Sequence, residues 1–184
     1  MCGICGFTGH PDNSPEVLKK MTDIMTHRGP DGEGAYVTDQ VALGHRRLAI
    51  IDLDNGAQPM FSKDGTIAIV FNGEIYNYLD MEKELNALGY EYRTRSDTEA
   101  LLVGYQAYGT DVLKKVRGMF AFAIWDANKQ QLFCARDFFG IKPFYYTIQN
   151  GNFIFASEIK SILEHPDCPK ELNPEALEQY LSFQ

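Results

Sequence analysis

The sequence predicts an α+β domain in which two layers of β-sheet are flanked by outer helices. Long apolar runs typical of strands are separated by amphipathic helical patterns, which is the arrangement expected for this class. The chain has 184 residues, of which 45% are hydrophobic, so it can bury a substantial core. We therefore expect one domain spanning residues 1–184.

The first half of the chain predicts a strand, a helix and three further strands. The segment ICGFTG forms the first strand, and a helix follows with Ser14 as its expected N-cap and Pro15 as its first residue. The Gly- and Pro-rich segment HRGPDGEG predicts a loop. The next strands are expected at AYVTD, VALGHRRLAIID and TIAIVFNG.

The second half predicts two helices, a run of strands and two final helices. Helices are expected at LDMEKELNALG and SDTEALLVGYQAYG, with a short strand, EYRT, between them. Four runs then predict an antiparallel meander: MFAFAIWD, QLFCARD, FYYTIQ and NFIFAS. Asn150-Gly151 is typical of a type I′ turn between the last two strands. The final helices are expected at SEIKSILEH and NPEALEQYL, and because the apolar pattern continues to the last residues, we expect a domain excised from a longer chain.

Charge and cysteine content limit the classes of function. The net charge of −8 and the pI near 5.0 argue against a nucleic-acid or anionic-membrane surface. Neither a signal-peptide pattern nor a bilayer-spanning apolar stretch is present, so we predict a cytoplasmic protein. The four cysteines are too irregularly spaced for a disulfide framework. We expect Cys5 and Cys134 to be buried strand residues and Cys168 to be a loop thiol.

The opening stretch MCGIC places Cys2 and Cys5 three residues apart. A zinc site requires a second ligand pair at similar spacing, which the sequence lacks, and a thioredoxin-like motif should open a helix, whereas a strand pattern follows here. Removal of Met1 would give Cys2 a free α-amine, whose pKa of about 7.7 to 8.0 suits a base at neutral pH. The position of Cys2 by itself leaves both this interpretation and a simple buried cysteine open.

Three further stretches contain polar residues that need an explanation. GHRRLAIID places two arginines in a strand, and arginine suits the bidentate binding of a carboxylate, although a solvent-facing residue explains at least one of them. VFNGEIYN places Asn72-Gly73 after an apolar strand, where a tight turn is the simplest reading. SDTE has Ser96 and Glu99 at capping-box spacing, which leaves Asp97 at the start of the helix without an assigned role.

Together these motifs resemble those of class II glutamine amidotransferase domains, which are N-terminal-nucleophile hydrolases. The motifs are most similar to those of the glutaminase domain of glutamine-hydrolysing asparagine synthetases, and the similarity covers nearly the whole chain. The matching motifs, in chain order, are MCGICGF, HRGPDG, RRLAIID, NGEIYN, SDTE, GMFAFAIWD and RDFFGIKPFYY. The resemblance implies a four-layer αββα sandwich of two antiparallel sheets, with Cys2 at the end of a strand between them.

The resemblance also implies a role for each matched residue. Cys2 would attack the glutamine side-chain amide with its own α-amine as base, and Asn72 and Gly73 would form the oxyanion hole. Substrate binding is expected from Arg47, which clamps the α-carboxylate, from main-chain groups at Ile50 and Ile51, and from Glu74 and Asp97, which hold the α-ammonium. Arg46 lies outside the matched pattern and is expected at the surface, and His27 and Arg28 are expected to organise their loop.

The expected reaction is hydrolysis of L-glutamine to glutamate and ammonia, with no cofactor or metal in this domain. In the parent enzyme a C-terminal synthetase domain would use ATP and Mg²⁺ to convert aspartate to asparagine with that ammonia. The sequence leaves open whether the domain forms a homodimer. Two alternatives stay open: the glutaminase half of a different amide- or lactam-forming synthetase, and a catalytically silent regulatory domain.

Overall fold

The structure of the protein is a computed structural model that describes residues 1–9, 11, 13–49 and 56–183. In these residues nine strands are found: β1 (Gly3–Thr8), β2 (Gly32–Val37), β3 (Val41–Arg47), β4 (Met60–Phe61), β5 (Ile67–Ile75), β6 (Gly118–Asp126), β7 (Gln131–Arg136), β8 (Tyr145–Gln149) and β9 (Asn152–Ala156). The α-helices are α1 (Ser14–Asp23), α2 (Tyr78–Ala87), α3 (Asp97–Tyr108), α4 (Ile159–Ile162) and α5 (Pro174–Phe183). No helix of this part of the chain is long and apolar enough to cross a bilayer.

The strands form two antiparallel sheets. One has the order β2-β3-β1-β9-β8 and the other has the order β4-β5-β6-β7. β1 is the central strand of the first sheet, so the residues just before it emerge at one end of the sandwich. β5 and β6 are the long central strands of the second sheet and pair from Ile67 opposite Asp126 to Ile75 opposite Gly118.

Three clusters of buried side chains hold the layers together. The first fills the space between the sheets and includes Ile4, Leu43, Val70, Ala123 and Phe155. The second lies between the outer face of the first sheet and α1, and the third lies between the second sheet and helices α2 and α3. Helices therefore cover both outer faces, which confirms the predicted four-layer αββα sandwich.

Local turn signals were correct where short-range geometry determines the backbone. Asn150 and Gly151 both have positive φ, 52° and 81°, as a type I′ turn between β8 and β9 requires. Ser96 is the N-cap of α3, and its hydroxyl accepts a hydrogen bond from the Thr98 N–H at 3.1 Å.

The predicted meander is wrong as a single sheet. β6 and β7 pair in the second sheet, whereas β8 and β9 belong to the first. The chain changes sheet in the loop Asp137–Phe144, which the apolar pattern of the strands did not reveal because both sheets need the same pattern. Cys134 on β7 is only partly buried, contrary to the expectation for it, while Cys5 is fully buried in β1 as expected.

Two predictions near α1 and α3 also need correction. The N-cap of α1 is Asn13 in a left-handed conformation, and Ser14 is already helical, its hydroxyl donating to the Pro11 carbonyl. The segment EYRT is not a strand, because the N–H groups of Arg93 and Thr94 donate to the Glu99 carboxylate instead of to a neighbouring strand. Glu99 is therefore an anchor for the preceding loop and not the second half of a capping box.

Arg46 is not a surface residue. Its side chain is only 11% exposed and its Nε donates to the Thr22 carbonyl at 3.1 Å. The guanidinium also forms ion pairs with Asp23 on α1 and Glu33 on β2. Arg46 thus joins β3 to its neighbouring helix and strand, which its position in a strand pattern could not indicate.

Candidate active site

A cavity of about 510 Å³ opens where β1, β3 and β5 meet the start of α3. It brings together Cys2, Arg47, Asn72, Gly73, Glu74 and Asp97, which are distant in sequence. Ile50 and Ile51, the other two predicted site residues, lie outside the described residues. The remaining lining residues are Met1, Leu48, Gly56, Gln58, Phe71, Ser96, Thr98, Met119, Ile141 and Lys142.

The Cys2 thiol is positioned by the backbone just after β3. Cys2 directly precedes β1, and the Leu48 N–H donates to its Sγ at 3.4 Å. The same Sγ lies 3.6 Å from the Leu48 carbonyl oxygen, to which the thiol can donate. The sulfur is thus fixed at the cavity wall by both backbone groups of one residue, and it is only partly buried.

A charged network holds the backbone of Cys2. Arg28 Nε donates to the Cys2 carbonyl at 3.0 Å, and its Nη1 contacts Glu158 Oε1 at 3.2 Å. The same Glu158 oxygen lies 2.9 Å from His27 Nε2. Burial opposes ionisation of Glu158, but hydrogen bonds from His27, Lys160 and Arg28 outweigh it and lower its pKa. From the sequence, His27 and Arg28 were expected only to organise their loop, and their link to Cys2 was not predicted.

Asn72 lies near the end of β5 and is almost fully buried, with 2% exposure. Its Nδ2 has no hydrogen-bond partner among the described residues. A buried amide donor without a partner is costly and rare, so a group that binds there would gain a hydrogen bond that is already oriented. An oxyanion hole requires donors of this kind.

Gly73 follows Asn72 in β5 opposite Phe120. A Cβ at this position would lie 2.4 Å from the Met119 carbonyl oxygen and 2.8 Å from the Phe120 Cα. Only glycine allows β5 and β6 to approach this closely at the cavity wall. The Asn-Gly pair is therefore part of a continuous strand and not the tight turn that its sequence suggests.

Asp97 and Glu74 supply negative charge to the same cavity. Asp97, the first residue of α3, is 5% exposed, and its Oδ2 accepts a hydrogen bond from the Ile75 N–H at 3.0 Å. Burial raises the pKa of Asp97 to about 6, and the nearby Glu74 charge adds to the effect. Burial likewise raises the pKa of Glu74, and the Lys142 charge opposes that shift.

Arg47 is the last residue of β3 and places its side chain at the cavity. Its carbonyl accepts a hydrogen bond from the Asp31 N–H at 3.0 Å, which fixes the end of the strand. The cavity therefore contains an arginine and two carboxylates. These are the charges needed to bind a zwitterionic amino acid.

Gln58 and Lys142 are lining residues that the sequence analysis missed. The Gln58 side chain joins two walls of the cavity, since its Oε1 accepts from the Phe71 N–H at 2.6 Å and its Nε2 donates to Thr98 Oγ1 at 3.3 Å. Lys142 lies within the motif RDFFGIKPFYY and is 5% exposed. A lone lysine between apolar residues was the only signal available for it.

A second cavity of about 700 Å³ lies between the edge strands β7 and β8. Its one cysteine is Cys134, and burial raises the pKa of that thiol to about 12. Burial also raises the pKa of the Cys5 thiol to about 12. Thiols with such values are not ionised near neutral pH. Among the described residues no three His, Cys, Asp or Glu side chains are placed to hold a metal ion.

The two-sheet sandwich is a fold already seen in solved structures. The fold is similar to the solved structure of glutamine phosphoribosylpyrophosphate amidotransferase from B. subtilis complexed with ADP and GMP. The TM-score is 0.75 at 24% sequence identity, and the match covers 87% of this chain and 42% of that chain. The structural class predicted from the motifs is thereby confirmed.

The sequence matches the family of glutamine amidotransferase domains over residues 1–184, and the chain belongs to this family. It is 48% identical over 189 residues to asparagine synthetase [glutamine-hydrolyzing] 1 of Bacillus subtilis (strain 168), covering 100% of this chain and 30% of that protein. It is 41% identical over 184 residues to asparagine synthetase [glutamine-hydrolyzing] 3 of the same organism, covering 97% and 30%. The chain thus spans about a third of the length of these relatives, and the resemblance to their glutaminase domain is confirmed.

Proposed function

We propose that the cavity hydrolyses L-glutamine to glutamate and ammonia through a thioester on Cys2. The observation that carries the proposal is the placement of the Cys2 thiol and the unpartnered Asn72 amide donor in one cavity. The sulfur attacks the amide carbon, and Asn72 with the Gly73 N–H stabilises the oxyanion that forms. The C–N bond then breaks, ammonia leaves with the proton taken from the thiol, and water hydrolyses the thioester to glutamate and the free thiol.

The base in this mechanism is the α-amine that Cys2 gains when Met1 is removed. With Met1 in place, the nitrogen of Cys2 is a peptide nitrogen and cannot accept a proton, and Met1 also lines the cavity. An α-amine with its usual pKa of about 7.7 to 8.0 can take the thiol proton and pass it to the leaving ammonia. Removal of Met1 is therefore an activating step in the proposal.

Substrate binding follows from the charges of the cavity. Arg47 binds the α-carboxylate of glutamine, and Glu74 and Asp97 bind its α-ammonium. Main-chain groups of Ile50 and Ile51 are the remaining proposed contacts to the substrate. In this orientation the neutral side-chain amide of glutamine points to Cys2. A substrate that lacks either the α-carboxylate or the α-ammonium loses one of these contacts.

The ammonia is proposed to serve a synthetase domain that uses ATP and Mg²⁺ to convert aspartate to asparagine, as the names of the long relatives suggest. The loop that carries Lys142 also carries Phe138 and Phe139, which are 96% and 84% exposed. Two exposed aromatic side chains on a loop that lines the cavity through Ile141 and Lys142 suit a packed neighbouring domain. No step of glutamine hydrolysis is routed through ATP or Mg²⁺. The alternatives are a homodimer that packs through this surface and a synthetase domain with a different ammonia acceptor.

The cytoplasm is the proposed location, because its reducing conditions keep thiols free. All four cysteines are free thiols in the described residues. The alternative of a silent regulatory domain predicts no turnover at all, so activity separates it from the proposal.

Glutamate release from glutamine, measured together with intact mass, tests the proposed function. Protein that lacks Met1 should release glutamate, and Cys2→Ala should be silent. Cys5→Ala is the matched control, since Cys5 is a buried thiol three residues away, and it should keep turnover. The proposal is wrong if Cys2→Ala turns over glutamine as fast as the unmodified protein.

A further inference from the structure

Lys142 is a buried cation in the wall of the candidate site. It is 5% exposed, and none of the ion pairs among the described residues includes it. Its Nζ lies 3.2 Å from Met1 Sδ. A thioether is a weak acceptor, so this contact compensates little of the cost of burying an ammonium group. Buried lysines are normally paired, whereas Lys142 interacts with the Glu74 charge without forming an ion pair.

The loop that carries Lys142 is rigidly held. The Asp137 carboxylate accepts hydrogen bonds from the N–H groups of Ile141 at 2.9 Å, of Lys142 at 3.0 Å and of Phe120 at 3.2 Å. Arg136 Nε donates to the Lys142 carbonyl at 2.6 Å. The direction of the Lys142 side chain is therefore set by the fold and not by a loose surface loop.

Several of the elements that line the cavity contribute charged groups to it. Glu74 on β5 and Asp97 on α3 are the acids, and Arg47 on β3 and Lys142 are cations of the wall. Arg28 donates to the Cys2 carbonyl. The Asp137 carboxylate is occupied by backbone N–H groups of its own loop and of β6.

Removal of Met1 takes away the atom that Lys142 contacts and creates a new amine at Cys2. The ammonium and Cys2 line the same cavity. A nearby cation disfavours protonation of an amine. The two acids of the cavity act in the opposite direction, so the charge of Lys142 offsets theirs.

We propose that Lys142 is a positioning residue that acts through Cys2, keeping the Cys2 amine neutral near neutral pH so that it can accept the thiol proton. The inference rests on the proposed function, since it takes Cys2 as nucleophile and base. Before Met1 is removed, its Sδ contacts the Lys142 ammonium. After removal, the same ammonium disfavours protonation of the new Cys2 amine.

The test compares Lys142→Met with Lys142→Arg in protein that lacks Met1. Two profiles are measured against pH: kcat/KM for glutamine, and titration of the Cys2 α-amine, read by NMR from the Cα chemical shift of ¹³C-labelled Cys2. In Lys142→Met the acidic limb of kcat/KM and the midpoint of the amine titration should both move to higher pH by about 0.5 to 1 unit. Lys142→Arg keeps the charge and should restore both profiles.

Lys20→Met is the matched control, because Lys20 is an exposed lysine on α1, outside the cavity, and its loss should shift neither profile. Thermal melting checks that each variant is folded, and Lys142→Gln replaces Lys142→Met if the latter does not fold. A folded variant without the charge and with unshifted profiles overturns the inference. If Cys2→Ala is silent in that experiment, the proposed function stands and only the role of Lys142 fails; an active Cys2→Ala overturns the proposed function itself.

Discussion

Arg28 Nε donates a hydrogen bond to the carbonyl oxygen of Cys2 over 3.0 Å, across 26 residues of sequence. The guanidinium is in turn held by Glu158, which follows β9 at the far end of the chain. The position of Cys2 thus depends on three separate segments. A nucleophile at a chain terminus has no preceding backbone to restrain it, so this bond to its carbonyl takes that role once Met1 is gone.

We expect Arg28→Met to lower kcat for glutamine by roughly 10- to 100-fold, because a charge-assisted hydrogen bond that orients Cys2 is lost. KM should change much less, since Arg28 is not among the residues that line the cavity. Steady-state kinetics on protein lacking Met1 measures both parameters.

Arg46→Met is the control for this prediction. The side chains of Arg28 and Arg46 are equally buried, at 11% exposure, and each pairs with carboxylates. Loss of Arg46 should lower the free energy of unfolding by about 1 to 3 kcal/mol and leave the kcat of the folded protein unchanged. Equal losses of kcat in both variants would show that Arg28 acts only through stability.

Asn72→Ala should lower kcat by roughly 10²- to 10³-fold, as expected when one oxyanion-hole donor is removed. Its Nδ2 has no partner in the described part of the chain, so the free energy of unfolding should change by less than about 1 kcal/mol. Kinetics and denaturant titration on the same samples test both statements.

Asn77→Ala is the control for the Asn72→Ala prediction, and the opposite pattern of effects is expected for it. The Asn77 side chain donates to the Lys115 carbonyl at 3.0 Å and accepts from the Arg117 N–H at 2.8 Å. Its loss should cost about 1 kcal/mol or more of stability and leave kcat unchanged. If Asn72→Ala instead lost stability and kept kcat, Asn72 would be structural and the oxyanion-hole assignment would be wrong.

The local parts of the fold could be predicted from the sequence, and the long-range parts could not. The Asn150-Gly151 turn and the Ser96 cap depend on the preferences of a few neighbouring residues, and both were correct. Glu99 had the right spacing for a capping box, yet its carboxylate binds the N–H groups of Arg93 and Thr94. Spacing along a helix does not show which of two nearby sets of donors a buried carboxylate will accept.

The residues of the site divide in the same way into those that could be predicted from the sequence and those that could not. Most of its predicted residues came from the family resemblance, and the cavity does contain Cys2, Arg47 and Asp97. Lys142 and Arg28 were missed because their importance comes from contacts with the N-terminus across 141 and 26 residues. No periodicity or local motif encodes a contact of that range.

The stability of Asp97→Asn relative to the unmodified protein should depend on pH. Burial raises the pKa of folded Asp97 to about 6, above its value of 3.8 in the unfolded chain. Between these values the folded state holds the proton more tightly, so ionisation lowers stability as the pH rises. Asp97→Asn lacks this loss and should gain up to about 3 kcal/mol on the unmodified protein between pH 4 and 7.5. Urea titrations across that range measure the difference.

Asp126→Asn should behave differently in the same range. Burial opposes ionisation of Asp126, but hydrogen bonds from Lys129 and Tyr105 outweigh it and hold its pKa below 3.8. Its stabilising contribution is fully present above 3.8 and is lost only as the pH falls below that value, so the deficit of Asp126→Asn should stay level between pH 5 and 7.5. Parallel pH profiles for the two variants would contradict the raised pKa of Asp97.

Any extension before Cys2 should abolish glutamine hydrolysis, because it converts the α-amine into an amide that cannot accept a proton. General-base catalysis typically contributes 10²- to 10⁴-fold, so an N-terminally tagged protein should lose at least about 10² in kcat. Proteolytic removal of the tag that leaves Cys2 first in the chain should restore turnover, and intact mass before and after cleavage identifies the terminus. A C-terminal tag of equal length is the control and should have little effect, since α5 is exposed and lies outside the cavity. Full turnover in protein whose mass shows the intact N-terminal tag would mean that another group, and not the Cys2 amine, accepts the thiol proton.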